Sequence, residues 1–213
     1  MDTDCSDDEA IMSFVEKHEK TIMKPKNGSC GKGIFIFDKN DISSAKIPKG
    51  YVVEEFINQH SELERLNPSS VNTLRVMTFK GNIISCVLKV GGENSVVDNM
   101  SSKGLYGNVN IDCGITDSRF FDIELNQYCY HPSTGERLIG FEIPHWEDVK
   151  KVVSKAASII PEMGYLGWDI AILPDGVAVI EANENPGHDL SCQSTVYIGL
   201  YEKIKEIEKA VRI

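Results

Sequence analysis

Hydrophobic and polar positions alternate along this chain with two periods. Ile11, Phe14 and Val15 recur at helical spacing, which predicts a short helix over about Asp8 to Lys17. Thr21 to Lys24 and Ile34 to Phe37 read as strands flanking a glycine-rich turn, Lys26 to Gly33, and so as a hairpin. Tyr51 to Ile57 is a third strand that ends in polar Asn58-Gln59-His60. Val71 to Phe79 and Ile83 to Val90 flank Lys80-Gly81-Asn82, a plain hairpin turn. Gly91 to Gly114 is rich in Gly, Asn and Ser and reads as one long excursion. Ile123 to Tyr130 adds a strand. Val149, Val152, Val153, Ala156 and Ile160 form the apolar stripe of a helix over Trp146 to Ile160. Tyr165 to Leu173 and Val177 to Glu181 form a hairpin around Pro174-Asp175-Gly176, and about Thr195 to Arg212 is an amphipathic helix. Strand pairs interrupted by helices predict an α+β fold with antiparallel sheets.

Composition sharpens this only in places. The chain has 213 residues, 41% hydrophobic and 25% charged, which is ordinary globular composition for one domain or two small lobes. No stretch approaches the roughly 20 apolar residues that span a bilayer, and acidic Met1 to Glu9 has no apolar signal core. The expectation is a cytoplasmic protein without membrane insertion. The formal net charge of −10 argues against general binding to nucleic acid, because phosphate backbones demand clustered positive charge. A nucleotide remains admissible, since a local pocket of amides and lysines overrides net charge. Cys5, Cys30, Cys86, Cys113, Cys129 and Cys192 show no C-x-x-C spacing and are read as free thiols.

Four constellations can carry chemistry. Gly28, Gly31 and Gly33, set among Lys24, Lys26, Ser29 and Lys32, let a backbone approach phosphate and aim amides at it. The segment is neither a P-loop nor a dinucleotide fingerprint, because Gly33 follows Lys32 and a strand follows the glycines. It is a phosphate flap between two strands or a flexible hairpin with exposed lysines. Asp169, Glu181 and Asn183 offer hard oxygen donors suited to Mg²⁺, with Glu181 and Asn183 on one face of a strand. The alternative is a pair of surface carboxylates flanking a turn, although Asp169 sits between Trp168 and Ile170. Val53-Glu54-Glu55-Phe56-Ile57 is either a segment offering backbone groups to an adenine edge or a buried strand end. Arg75 and Lys89, on paired strands, reach one anion from one face or project into solvent as unrelated charges.

In this order the parts resemble the ATP-grasp superfamily. The closer resemblance is to the sugar-transfer-associated ATP-grasp proteins of bacterial polysaccharide gene clusters. It rests on Asn72-Thr73-Leu74-Arg75-Val76, Val97-Asp98-Asn99, Gly167-Trp168-Asp169-Ile170-Ala171 and Ile180-Glu181-Ala182-Asn183. The resemblance implies two α+β lobes enclosing a nucleotide cleft. The small lobe, residues 1–57, would carry flap and adenine hinge; residues 58–213 would carry the metal site and acceptor loops. It further implies that Lys24 contacts the phosphates and that Gly28, Ser29, Gly31, Lys32 and Gly33 close over them. Glu54, Glu55, Phe56 and Ile57 would hold adenine, and Glu62 the ribose hydroxyls. Asp169, Glu181 and Asn183 would hold one or two Mg²⁺, and Arg75 and Lys89 would stabilise the phosphoryl group in transfer. The loop Asn185 to Gln193, with His188 and Asp189, would face the acceptor. D-alanine ligases often carry an arginine just before the first metal aspartate; Gly167-Trp168 stand there, so Arg75 would substitute.

The activity implied is an ATP- and Mg²⁺-dependent, ADP-forming carboxylate–amine ligase working through an acyl phosphate, with a small-molecule carboxylate and an amine or sugar acceptor as substrates. A phosphotransferase and a nucleotide-binding module without turnover are the alternatives. Unless an anion lies between them, Arg75 and Lys89 would repel and destabilise the fold.

Overall fold

The computed structural model describes residues 1–27, 33–41, 47–93, 95, 98, 103–187 and 199–211. It divides into two compact units, Met1–Ile57 and Asn58–Ile213.

The first unit opens with α1 (Asp8–Glu16). Asp7 caps it by accepting the Ala10 amide at 2.7 Å, and Asp8 and Glu9 place negative charge where the helix dipole favours it. Its apolar face buries Ile11 and Val15. Three antiparallel strands follow: β1 (Lys20–Pro25), β2 (Phe35–Asp38) and β3 (Tyr51–Glu55), in the order β2-β1-β3. Thr21 and Met23 point inward from β1, and Met23 packs with Ile11, Val15 and Val53. The expected hairpin is present, with Thr21 opposite Phe37.

The second unit contains α2 (Ser61–Leu66) and an antiparallel sheet of eight strands. These are β4 (Thr73–Phe79), β5 (Asn82–Val90), β6 (Leu105–Asn110), β7 (Ile115–Thr116), β8 (Phe120–Phe121), β9 (Gln127–Tyr128), β10 (Tyr165–Leu173) and β11 (Gly176–Asn183). Along the sheet the order is β11-β10-β4-β5-β6-β8-β9, with β7 paired to β6. Helix α3 (Trp146–Ile159) lies between β9 and β10 in the chain, and α4 (Leu200–Val211) ends the described residues.

The central strands are buried on both faces because both are covered. On one face Trp146, Val149, Val153 and Ala157 of α3 join Leu74, Val76, Cys86, Leu88, Trp168 and Ile170. On the other, Leu200, Ile204 and Ile207 of α4 pack on Met77 and Ile84. Thr73, Arg75 and Met77 share this second face, because strand side chains alternate. Part of it is therefore apolar core, and part carries charge.

The expected α+β architecture with antiparallel sheets is present. Three local expectations are corrected. The excursion Gly91 to Gly114 contains β6, a buried strand paired with β5, so glycine and asparagine content there masked a β element. The strand expected over Ile123 to Tyr130 is reduced to β9, because the Asp122 carboxylate accepts the amides of Glu124 and Asn126 and folds the preceding residues into a turn. Helix α2 was not anticipated; it is too short to show a period. The flap residues Gly28, Ser29, Gly31 and Lys32, with Cys30, lie outside the described residues, as do Val97, Asn99, His188, Asp189 and Gln193. Cys5, Cys86, Cys113 and Cys129 are unpaired. Burial holds the Cys86 thiol well above its ordinary pKa, which suits a core hydrophobe rather than a nucleophile. Among the described residues, no helix is long and apolar enough to cross a membrane.

Gly107 marks a close inter-strand approach: a Cβ there would lie 2.3 Å from the Phe120 ring, which is fully buried. Gly107→Ala is expected to cost about 1–3 kcal/mol by overpacking, whereas Gly164→Ala, with no neighbour within 4 Å, should stay within about 0.5 kcal/mol. Urea denaturation of the two variants makes the comparison.

Candidate functional site: a buried carboxylate between two cations

Asp169 sits in mid-strand on β10, directly opposite Arg75 of β4 and Glu181 of β11. Directly paired residues of antiparallel strands project to the same face, so the three side chains form one row across the sheet. Arg75 reaches Asp169 with two parallel bonds, Nε to Oδ1 at 2.5 Å and Nη2 to Oδ2 at 3.0 Å. Its Nη1 donates to the Pro186 carbonyl at 2.9 Å. Lys89, one row along on β5, donates from Nζ to Asp169 Oδ2 at 3.1 Å.

Gly167 makes this geometry possible. It precedes Asp169 by two residues and shares its face. A Cβ there would lie 2.3 Å from Pro186 Cβ and 3.2 Å from Arg75 Cδ. The absent side chain is the space through which the arginine reaches the aspartate. Gly167 is thus a packing constraint on this row that strand patterning did not reveal.

A second carboxylate completes the cluster. Asp98 Oδ1 lies 3.5 Å from Lys89 Nζ. Its Oδ2 accepts the Thr73 amide at 3.0 Å and the Thr73 hydroxyl. Lys89, Asp98 and Asp169 are all buried, at 4, 8 and 6% exposure. Burial by itself would raise the pKa of Asp169, but the Lys89 charge and the Arg75 hydrogen bonds outweigh it and hold the carboxyl below its ordinary value. For Asp98 burial pushes the pKa up, against the pull of Lys89 and the Thr73 donors.

The expectation that Arg75 and Lys89 share a face is met, and an anion does lie between them. Asp169 is that anion. Removing Arg75 therefore exposes no latent repulsion; it leaves a buried carboxylate with half its partners.

The three oxygen-bearing residues are placed together only in part. Asp169 and Glu181 are cross-strand neighbours, and β11 extends far enough to carry Asn183, whose Nδ2 donates to Glu181 Oε1 at 3.1 Å. That bond leaves Asn183 Oδ1 and Glu181 Oε2 as acceptors on an accessible strand end. A carboxylate has about four acceptor positions, and Arg75 and Lys89 take three of those on Asp169. Among the described residues no three His, Cys, Asp or Glu side chains converge as a metal cluster. Two carboxylates and an amide nevertheless fit a hard, oxygen-preferring dication that completes its shell with phosphate oxygens and water.

In the first unit, Lys24 and Glu54 are joined by an ion pair at 2.6 Å, both partly exposed. Glu55 is exposed, with His18 at 3.8 Å. The Phe56 amide donates to the Lys20 carbonyl at 3.1 Å, so it is committed to the sheet rather than offered to an adenine edge. Ile57 is half-buried at the end of the unit, and Gly33 adopts a left-handed φ of 74° beside Pro25. Lys26 is held by Asp2 and Asp4 at 2.5 and 2.7 Å, which lowers the Asp2 pKa to about 2. In the second unit Glu62 pairs with Arg65 at 3.4 Å and lines a separate cavity of about 820 Å³ with Arg137, Glu142 and His145. None of Arg75, Lys89, Asp169, Glu181 and Asn183 lines that cavity.

Residues 42–209 match the family model described as sugar-transfer associated ATP-grasp. The chain belongs to this family. A curated glutathione synthetase of Gloeobacter violaceus is 28% identical over 101 residues, covering 47% of this chain and 31% of that protein. Among solved structures, the ATP-grasp ligase PsnB complexed with a minimal precursor superposes with a TM-score of 0.54 at 17% identity, covering 95% of this chain and 52% of that one. PsnB complexed with a phosphomimetic variant of that precursor, Mg and ADP gives 0.53 at 16% identity, covering 95% and 50%. These structures establish the ATP-grasp fold. The chain spans about half the length of PsnB and under a third of the synthetase.

Arg75→Ala is expected to destabilise the protein by about 2 kcal/mol or more, because breaking a buried pair strands its partner. A thermal or urea midpoint reads this directly, and a change within about 0.5 kcal/mol, the value for a solvent-facing arginine, would contradict the buried row.

Proposed function

We propose that this ATP-grasp protein is an ATP- and Mg²⁺-dependent, ADP-forming carboxylate–amine ligase. The observation that carries the proposal is the row Arg75, Asp169, Glu181 with Lys89 and Asn183 beside it. It gathers two fixed cations and a set of oxygen donors on one sheet face. Phosphoryl transfer asks a protein chiefly for positioning and for charge at the transferring group.

In this reading Asp169, Glu181 and Asn183 hold Mg²⁺, which when bound neutralises charge on the β- and γ-phosphates. Arg75 and Lys89 supply fixed positive charge beside the oxygens of the transferring phosphoryl group. A substrate carboxylate attacks the γ-phosphorus, the bond to ADP breaks, and an acyl phosphate forms. An amine nitrogen then attacks the acyl carbon; phosphate leaves, and the nitrogen sheds a proton to complete the amide. Lys24 would contact nucleotide phosphate, exchanging its exposed pair with Glu54 for the ligand. Gly28, Ser29, Gly31, Lys32 and Gly33 would cover the phosphates, and Glu54, Glu55, Phe56 and Ile57 would hold adenine. With the Phe56 amide committed to Lys20, that residue contributes through its carbonyl or ring. Glu62 would reach the ribose hydroxyls. The family's association with sugar transfer favours an amine or sugar acceptor tied to polysaccharide precursors, in the cytoplasm.

Product analysis with ATP, Mg²⁺ and a panel of carboxylates and amines tests the assignment. Ligation yields ADP, phosphate and an amide in equal amounts. A phosphorylated acceptor without amide would make the protein a phosphotransferase, and intact ATP would make it a binding module. Glu181→Gln is expected to lower turnover more than tenfold, about 1.4 kcal/mol or more in barrier, with stability within about 0.5 kcal/mol because Glu181 is exposed. Steady-state rates and a thermal midpoint on that variant separate the two effects.

A further inference from the structure

Asp98 has no role in the chemistry above, yet it is as buried as Asp169 and touches the same lysine. Lys89 Nζ stands between Asp169 Oδ2 at 3.1 Å and Asp98 Oδ1 at 3.5 Å. Asp98 is anchored on its other oxygen by the amide and hydroxyl of Thr73, the residue directly opposite Lys89 across β4 and β5. These partners are donors or a cation, so they favour the ionised form against the upward push of burial. The buried cluster then holds Arg75 and Lys89 against Asp98 and Asp169, two charges of each sign.

We infer that Asp98 is a positioning residue that serves as the second counter-ion of Lys89 and thereby leaves Asp169 electrically able to accept a divalent cation. The inference rests on the reading of Asp169 as a metal ligand. Without the Asp98 charge, both cations would depend on Asp169 alone. An incoming dication would meet a cluster carrying one surplus positive charge, and Lys89 would compete for the same carboxylate oxygen. With Asp98 present, Lys89 keeps a fixed partner when Asp169 turns part of its charge to a metal. The ammonium then remains in place for the phosphoryl group rather than following Asp169. At these separations in a buried setting, one unit of charge shifts dication affinity by roughly tenfold or more.

The test reads metal affinity rather than turnover. Mn²⁺ is titrated into the full chain in the presence of saturating ADP, and free Mn²⁺ is followed by electron paramagnetic resonance. Asp98→Asn, which keeps shape and loses charge, should weaken Mn²⁺ binding roughly tenfold or more. Lys89→Met should tighten it, because the cluster then carries surplus negative charge. The double variant Lys89→Met/Asp98→Asn restores charge balance and should return to within about threefold of wild type. That rescue distinguishes charge balance from a merely structural role, in which two core substitutions would each add damage. Should Asp98→Asn fail to fold, Lys89→Met and the charge-balanced double variant still decide the matter. Unchanged affinity in Asp98→Asn, no tightening in Lys89→Met, or a double variant no better than Asp98→Asn would each overturn the inference. Absence of Mn²⁺ binding by wild type would overturn the metal-site reading itself, and wild-type binding with unshifted variants would overturn Asp98 alone.

Discussion

A carboxylate buried in the middle of a sheet is tolerated only with opposite charge and hydrogen bonds to replace the water it has lost. Asp169 meets that demand with the Arg75 fork from one neighbouring strand and the Lys89 ammonium from the strand beyond it. The constraint pins three strands to one register. A slip of one residue would turn Asp169 toward the α3 face, among apolar Trp146, Val149 and Val153. It also fixes composition at a distance. Gly167 lacks a side chain because Arg75 Cδ and Pro186 fill its space. The same requirement for a compact, shared set of partners draws Asp98 and Thr73 into the cluster.

How far the sequence revealed this follows from which forces are local. Strands β4, β5, β10 and β11 were legible because each is a largely apolar run bounded by turn residues, and their hairpin partners lie nearby in the chain. Helix α3 was legible from its period, although the buried stripe turned out to run through Trp146, Val149, Val153 and Ala157. Strand β6 was missed because Gly107 and Asn108, which read as loop, sit in a strand whose glycine is dictated by the Phe120 ring of another. That is a tertiary cause, invisible to local pattern. The pairing of Asp169 with Arg75 crosses 94 residues of chain, so only the likeness to a known family could suggest the two belonged together.

The charge on Asp98 illustrates a different limit. Its short motif was noticed, but a carboxylate in a glycine- and asparagine-rich stretch reads as solvated surface. Only the tertiary position of Thr73 and Lys89 makes it a buried group. Sequence reasoning placed Arg75 with Lys89 and Glu181 with Asn183, and the sheet brings Asp169 between the two pairs. It misjudged their resting state, because it had no way to see that the proposed ligand and the proposed catalysts already neutralise one another.

The two kinds of ion pair in this protein differ in what they can do. Lys24 and Glu54 are partly exposed, with side-chain exposures of 29 and 43%. Such a pair is worth about 0–1 kcal/mol and is screened by salt, so its lysine can be redirected to an arriving phosphate at little cost. Arg75, Lys89, Asp98 and Asp169 are different: their partners cannot be replaced by water, and taking one away strands another. A ligand at that cluster must substitute for a partner rather than simply add to it. A dication that draws on Asp169 and a phosphate that draws on Arg75 satisfy this together, each restoring the charge the other removes. Neither does so alone. Under the proposed roles of Asp169 as metal ligand and Arg75 as phosphate contact, the cluster would favour metal and phosphate arriving as a complex over either arriving separately, through a requirement the protein first met in order to fold.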